Sequence, residues 1–280
     1  MEIKANGIQI HYELSGKESA RVVVLSHSLG CSLAMWEPQL QSLEPNYRVL
    51  RYDTRGHGGT DAPSGAYTMD MLGADAIGLL DALGIDMVHW TGLSMGGMIG
   101  QCLALNHPNR LHSLALCDTA ALIPEDAQPV WQERLNVARD KGMQALVEST
   151  LARWFTQPYL SRNPPAVNQI RRQFLATPVA GYIGCSEAIR RLDYLEQLPE
   201  IKKPTLFIVG EDDPGTPVAA SEAMQQRIPG SRLVVLSSAA HLSNVEQAEA
   251  FNNALIEFLE DQRPAREKTR VNGGQSSTSI

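Results

Sequence analysis

Cysteine is scarce in this chain and has no pattern. The four thiols, Cys31, Cys102, Cys117 and Cys185, show no CxxC spacing. Neither a disulfide framework nor a zinc site is therefore expected, and buried thiols in a reducing cytoplasm are. Apolar runs of about 18 residues are missing as well, which excludes a conventional membrane-spanning helix. The N-terminal stretch MEIKANGIQIHYEL lacks the basic start and long apolar segment of a secretory signal. Basic charge is in deficit: 24 Lys and Arg stand against 31 Asp and Glu, for a net charge of −7. That balance argues against non-specific attachment to nucleic acid or to an anionic membrane surface. An anionic small molecule is still admissible, because one local arginine outweighs a distant acidic surface. The expectation is a soluble cytoplasmic protein that handles a small molecule.

At 280 residues, with 43% hydrophobic and 20% charged residues, the chain has the make-up of an ordinary globular protein with a sizeable core. Strand-like and helix-like segments alternate through its first third. GIQIHYEL alternates with period two and reads as a hairpin strand; RVVVLSH, YRVLRYD and MVHWTG read as strands buried on both faces. Between them, TMDMLGADAIGLLDALGI carries apolar residues at helical spacing and ends at Gly84, a C-cap signal. A helix after Ser94 runs toward Pro108, and LHSLALCD follows as a further buried strand. This rhythm predicts a parallel sheet with helices on both faces.

From 122 to 198 the rhythm stops. That stretch is helix-rich, punctuated by prolines, and without a convincing buried strand; it reads as an inserted helical cap. Alternation resumes with PTLFIVG (strand), PVAASEAMQQRIP (helix), SRLVVLSS (strand) and the closing helix VEQAEAFNNALIEFLEDQ. The core is thus expected over 1–121 and 199–262. Residues 263–280, polar and aperiodic, read as a disordered tail. No internal repeat is visible.

Residues 88–101, VHWTGLSMGGMIGQ, carry the chemistry. Strand, then G-L-S-M-G, then helix is the nucleophile-elbow pattern, in which a serine sits on a strained turn between small residues. Ser94 would be the nucleophile, and the N–H of Met95 would point at a developing oxyanion near a helix N-terminus. A glycine-rich turn with an idle serine is the competing reading, and the strand-to-helix context argues against it. A serine hydroxyl needs a base, and the base an orienting acid, expected in the chain order Ser, Asp/Glu, His. Of the histidines, only His241 follows a late strand. His89 lies within a strand and reads as structural, while His107 and His112 flank a helix end. For the acid, the loop GEDDPGTPV favours Asp213, with Asp212 and Asp118 as alternatives. A second oxyanion N–H is expected from Leu29 in LSHSLGCS, with Gly30 easing the turn and His27 and Ser28 bonding around it. No step of such chemistry needs a metal or an organic cofactor.

Together the stretches HSLGCSLAMWEPQ, YDTRGHGGTDAP, GLSMGGMIGQ, GEDDPGTP and AAHLSN resemble the α/β-hydrolases over nearly the whole chain. More narrowly, HSLG, RYDTRGHG, LALCDTAA and RWFT resemble the 3-oxoadipate enol-lactonases of aromatic catabolism, a group similar to carboxylesterases and haloperoxidase-like hydrolases. The resemblance implies an α/β-hydrolase fold, with a mostly parallel, eight-stranded-type sheet flanked by helices, and opening of a carboxylate-bearing enol-lactone through a Ser94 acyl-enzyme. It also implies a cationic element in the pocket, for which Arg153 and Trp154 are the candidates, although both could serve packing or solvation instead. Arg55 and His57 would hold neighbouring loops. Two other readings stand beside this one: a small-molecule carboxylesterase, and a non-catalytic hydrolase-fold binding protein. A dehalogenase would place aspartate at the elbow.

Overall fold

Buried backbone must pair its own polar groups, and short runs of β-branched residues do so as strands of one sheet. The computed structural model describes residues 1–262; the expected tail, 263–280, lies outside the described residues. The strands are β1 (Glu2–Ala5), β2 (Ile8–Gly16), β3 (Val22–Ser26), β4 (Arg48–Tyr52), β5 (Val88–Leu93), β6 (Leu111–Cys117), β7 (Thr205–Gly210) and β8 (Arg232–Leu236). All eight join a single sheet in the order β1-β2-β4-β3-β5-β6-β7-β8. Only β2 pairs antiparallel, with β1 and β4; every other neighbouring pair is parallel. Asn6 and Gly7 connect β1 to β2 with φ of 45° and 81°, the left-handed pair that a two-residue hairpin turn requires.

Every residue of β3, β5 and β7 is buried, as expected for central strands covered on both faces by helices. His89 of β5 is part of that interior. Its Nδ1 lies 2.8 Å from Ser113 Oγ, and burial above all, with His112 and Arg21 nearby, pushes its pKa down to about 3. His112 belongs to β6 and lies against the His89 ring at 5.1 Å, so it does not cap a helix. All four cysteines are free and buried.

Between β6 and β7 the chain forms helices at Gln128–Lys141, Val147–Trp154, Gln157–Ser161, Pro165–Ala176 and Val179–Arg190. An isolated bridge, Leu122 to Asp193, closes the base of this excursion. The closing helix differs from its sequence reading. It is broken at Gln247 into Ser243–Glu246 and Ala248–Asp261. The Glu246 carboxylate is turned away to accept the N–H groups of Ala240 (3.0 Å) and Thr156 (3.1 Å), which ties the preceding loop to the helical excursion. Among the described residues, no helix is long and apolar enough to cross a membrane. Parallel strands place all their C-terminal ends on one edge, and there the loops after β3, β5, β6, β7 and β8 converge.

Candidate active site

The glycines around Ser94 exist because backbone passes backbone there. A Cβ on Gly92 would lie 2.0 Å from Gly96 O, and one on Gly96 would lie 2.0 Å from Ser26 O. Any side chain at either place would force strand and helix apart. The turn between them holds Ser94 at φ 54°, ψ −114°, a conformation that costs a non-glycine residue roughly 1–3 kcal/mol. Neighbours over-determine it. Ser94 N–H donates to Cys117 O at 2.8 Å, and Ser94 O accepts the N–H of Gly97 at 2.9 Å and the hydroxyl of Thr119 at 2.7 Å. The Ser94 hydroxyl makes no hydrogen bond among the described residues and faces a cavity of about 450 Å³ that His241 also lines. Catalytic contacts are often loose before substrate binds.

His241 follows β8 in its loop, and its Nδ1–H donates to Asp213 Oδ2 at 2.8 Å. The remaining acceptor capacity of Asp213 is filled: Oδ1 accepts the N–H of Gly215 (2.8 Å) and of Thr216 (3.1 Å), and Oδ2 accepts Thr216 Oγ1 (2.6 Å). Burial pushes the Asp213 carboxyl upward, but the His241 imidazole and the hydrogen bonds from His241 and Thr216 outweigh it, so the pKa lies below its usual value. The same balance acts on His241 in reverse. Burial favours the neutral ring, the Asp213 charge and hydrogen bond favour the imidazolium more, and the pKa is raised. With Nδ1 held by the carboxylate, Nε2 is the nitrogen left to exchange protons.

The other two acids are placed elsewhere. Asp212 is exposed. Asp118 is fully buried but bonds Gly210 N–H and Ser243 Oγ, not His241.

Leu29 lies on the cavity wall beside Ser94. Its loop is braced by two buried, neutral imidazoles. His57 Nε2 accepts Gly30 N–H and His27 Nε2 accepts Thr54 N–H, each at 2.9 Å, while their Nδ1–H groups donate to Arg55 O and Ser28 O. Burial, reinforced by His27, pushes His57 down to about 3, which keeps it an acceptor. Arg55 in turn grips Asp75 through Nε and Nη2 at 2.7 and 2.6 Å. The N–H of Leu29, in this braced loop, and that of Met95, first residue of the helix Met95–Asn106, have no acceptors among the described residues. Two unpaired donors beside a hydroxyl are what an oxyanion requires.

Arg153 reaches the same cavity from the excursion, and so does Arg134, a residue the sequence had not singled out. Neither forms an ion pair among the described residues; Arg153 has only Thr150 Oγ1 at 3.4 Å, and Arg134 lies over the Trp131 ring at 5.2 Å. Burial, then the Arg134 charge, pushes Arg153 down to about 10; burial likewise lowers Arg134. Trp154 lines the cavity and also packs edge-on against Phe174, at 5.6 Å. Its backbone O accepts Leu242 N–H at 3.0 Å, fastening the excursion next to His241. Within the highly charged WQERLNVARDK, only the apolar stripe Trp131, Leu135, Ala138 hints that position 134 borders a buried face. Among the described residues, no cluster of three or more His, Cys, Asp or Glu could hold a metal ion.

The chain is similar to known proteins over most of its length. Residues 21–248 match the model of the alpha/beta hydrolase fold family. A 3-oxoadipate enol-lactonase of Acinetobacter baylyi is 38% identical over 90% of this chain and 94% of its own. A relative from Stutzerimonas stutzeri that carries a carbamate-hydrolase name is 31% identical, covering 90% of this chain and 97% of its own. Among solved structures, the enol-lactonase from Burkholderia xenovorans LB400 superposes with a TM-score of 0.90 at 42% identity, covering 93% of this chain and all of that one. A thermophilic esterase from Thermogutta terrifontis superposes with a TM-score of 0.88 at 29% identity, over 94% of this chain and 99% of that one. With the parallel sheet, the strained serine turn and the matched span in agreement, this chain belongs to the α/β-hydrolase family.

Proposed function

We propose that the protein hydrolyses a carboxylate-bearing enol-lactone, 3-oxoadipate enol-lactone, to 3-oxoadipate. The observation that carries this reading is the pair of guanidiniums, Arg134 and Arg153, that face the cavity shared by Ser94 and His241 without an ion-pair partner among the described residues. Both side chains are half-buried and burial already disfavours their charge, so an anionic ligand in the cavity supplies the counter-charge they lack. Kinship with enol-lactonases supports the lactone.

In this mechanism His241 Nε2 takes the Ser94 proton as Oγ attacks the lactone carbonyl. The N–H groups of Leu29 and Met95 hold the oxyanion. Collapse expels the ring oxygen as an enol, a better leaving group than an alkoxide, and His241 returns the proton to it. Water activated by His241 then releases the acyl group from Ser94, and the freed enol becomes a ketone. The helical segment 122–198 acts as the cap, presenting Arg134, Arg153 and Trp154 to the substrate.

Loss of enol-lactone absorbance under purified protein tests the assignment. No turnover of the lactone, beside good hydrolysis of a neutral short-chain ester, rejects it in favour of a carboxylesterase, the reading that kinship with the Thermogutta esterase supports. Replacing Arg134 or Arg153 with alanine is expected to raise KM for the lactone about 10- to 100-fold, the worth of one charge-assisted contact. With a neutral ester the same variants should change KM less than about threefold; equal losses on both substrates would refute the anion-binding role.

The pH dependence follows from His241. It must be neutral to act, and its pKa is raised above 6.5. Activity is therefore full at higher pH and lost as pH falls through a midpoint above 6.5. A kcat/KM profile with its acid limb well below that value contradicts the His241–Asp213 pairing as the source of the shift.

A further inference from the structure

The residues that end β6 and begin its exit loop, Cys117, Asp118 and Thr119, touch each of the loops that bear Ser94, Asp213 and His241. Cys117 O accepts Ser94 N–H at 2.8 Å, and Thr119 Oγ1 donates to Ser94 O at 2.7 Å, so the serine turn is held at both its amide and its carbonyl. Asp118 holds the other two. Its Oδ1 accepts Gly210 N–H at 2.8 Å, at the start of the loop that leads to Asp213. Its Oδ2 lies 2.5 Å from Ser243 Oγ, just past His241. The side chain is wholly buried and is absent from the cavity wall, so it meets no substrate. Its backbone sits at φ 42°, in the left-handed region that aspartate enters more readily than most residues, with its N–H bonded to Ile208 O at 2.8 Å.

We propose that Asp118 is a positioning residue: by bonding Gly210 and Ser243 at once, it sets the spacing between the loops that carry Asp213 and His241. The inference rests on those residues acting with Ser94 as described above. Burial, then the Asp213 charge, pushes the Asp118 carboxyl well above the ordinary carboxylate range, and its two oxygens are engaged by Gly210 and Ser243, not by the His241 ring. Asparagine is its closest isostere: the carbonyl accepts from Gly210 as Oδ1 does, and the amide donates to Ser243 Oγ, whose hydroxyl donates in the parent and turns to accept in the variant.

The test compares kcat, KM and pH profiles of Asp118→Asn, Asp118→Ala, Ser243→Ala and Ser94→Ala on the lactone. Asp118→Asn is expected to keep kcat within about threefold of the parent, with its acid limb unmoved. Asp118→Ala is expected to lose on the order of 10²-fold in kcat with KM nearly unchanged, the cost of displacing a reacting group by about 1 Å. Its acid limb should move to lower pH, because the Asp213 grip on His241 loosens; the ionisable groups that act on that ring are Asp213, Asp118 and Arg153. Should Asp118→Ala not fold, Ser243→Ala removes one arm of the bridge and is expected to lower kcat about tenfold, with a Tm lowered by the lost buried hydrogen bond but still above the assay temperature. Asp118→Ala at parental kcat, Asp118→Asn as damaged as Asp118→Ala, or Ser243→Ala at parental kcat each overturns the proposal. Ser94→Ala separates the two levels: if it keeps near-parental turnover, the Ser94 mechanism fails; if it loses about 10⁴-fold or more while Asp118→Ala is unimpaired, only the positioning role fails.

Discussion

Ser94→Ala is expected to lower kcat by roughly 10⁴- to 10⁶-fold while leaving KM and stability close to those of the parent. The size of the loss follows from the division of labour at the site. Removing Oγ ends covalent catalysis, but the N–H groups of Leu29 and Met95, the arginines and the shape of the cavity remain, so a residual rate above that in water survives. Stability is spared because the hydroxyl has no partner among the described residues. The strained turn is held through the Ser94 backbone, by Cys117, Gly97 and Thr119, and alanine keeps those bonds. A serine-directed phosphonate should accordingly label Ser94 in the parent and nothing in the variant. Near-parental turnover by Ser94→Ala would remove the nucleophile from the mechanism; no adduct and no turnover in the parent would favour a hydrolase-fold binding protein.

How much of this was legible in the sequence depended on whether the feature is local. The serine turn could be read because its cause is local: Gly92 and Gly96 are required by contacts at 2.0 Å with Gly96 and Ser26 backbone atoms, and that demand leaves a pattern in six residues. The rank of His241 in the chain, after β8 and before the closing helix, pointed to it, and in the structure it pairs with Asp213 and lines the Ser94 cavity. The choice among Asp213, Asp212 and Asp118 was not legible, because the chain does not state which way a side chain turns. Asp213 turns inward because Gly215, Thr216 and His241 supply its donors, a set visible only once the loop is folded. Arg134 escaped notice for a related reason. In a helix crowded with charges it reads as solvated, and only the packing of the excursion against the sheet edge turns it toward the cavity. The break at Gln247 likewise goes with bonds that the helical pattern does not show: Glu246 accepts from Ala240, six residues earlier, and from Thr156 in the distant excursion.

Asp213→Asn is the second large loss, expected at about 10³- to 10⁴-fold in kcat, and the geometry says why so slight a change costs so much. Oδ1 accepts two backbone N–H groups, from Gly215 and Thr216. An amide NH₂ cannot face those donors, so the asparagine carbonyl oxygen must occupy that place. The NH₂ is thereby directed to the position of Oδ2, opposite His241 Nδ1. There it donates, and Nδ1 must accept. The imidazole proton moves to Nε2, which can then no longer take the Ser94 proton. The structure of the variant should be nearly unchanged and its ring held in the inactive tautomer. Loss of the carboxylate also removes what raises the His241 pKa, while burial, which lowers it, stays. The acid limb of kcat/KM should therefore shift to lower pH even as the plateau falls. A variant with near-parental kcat, or with its acid limb where the parent has it, would transfer the orienting role away from Asp213, and Asp118 would be the next carboxyl to replace.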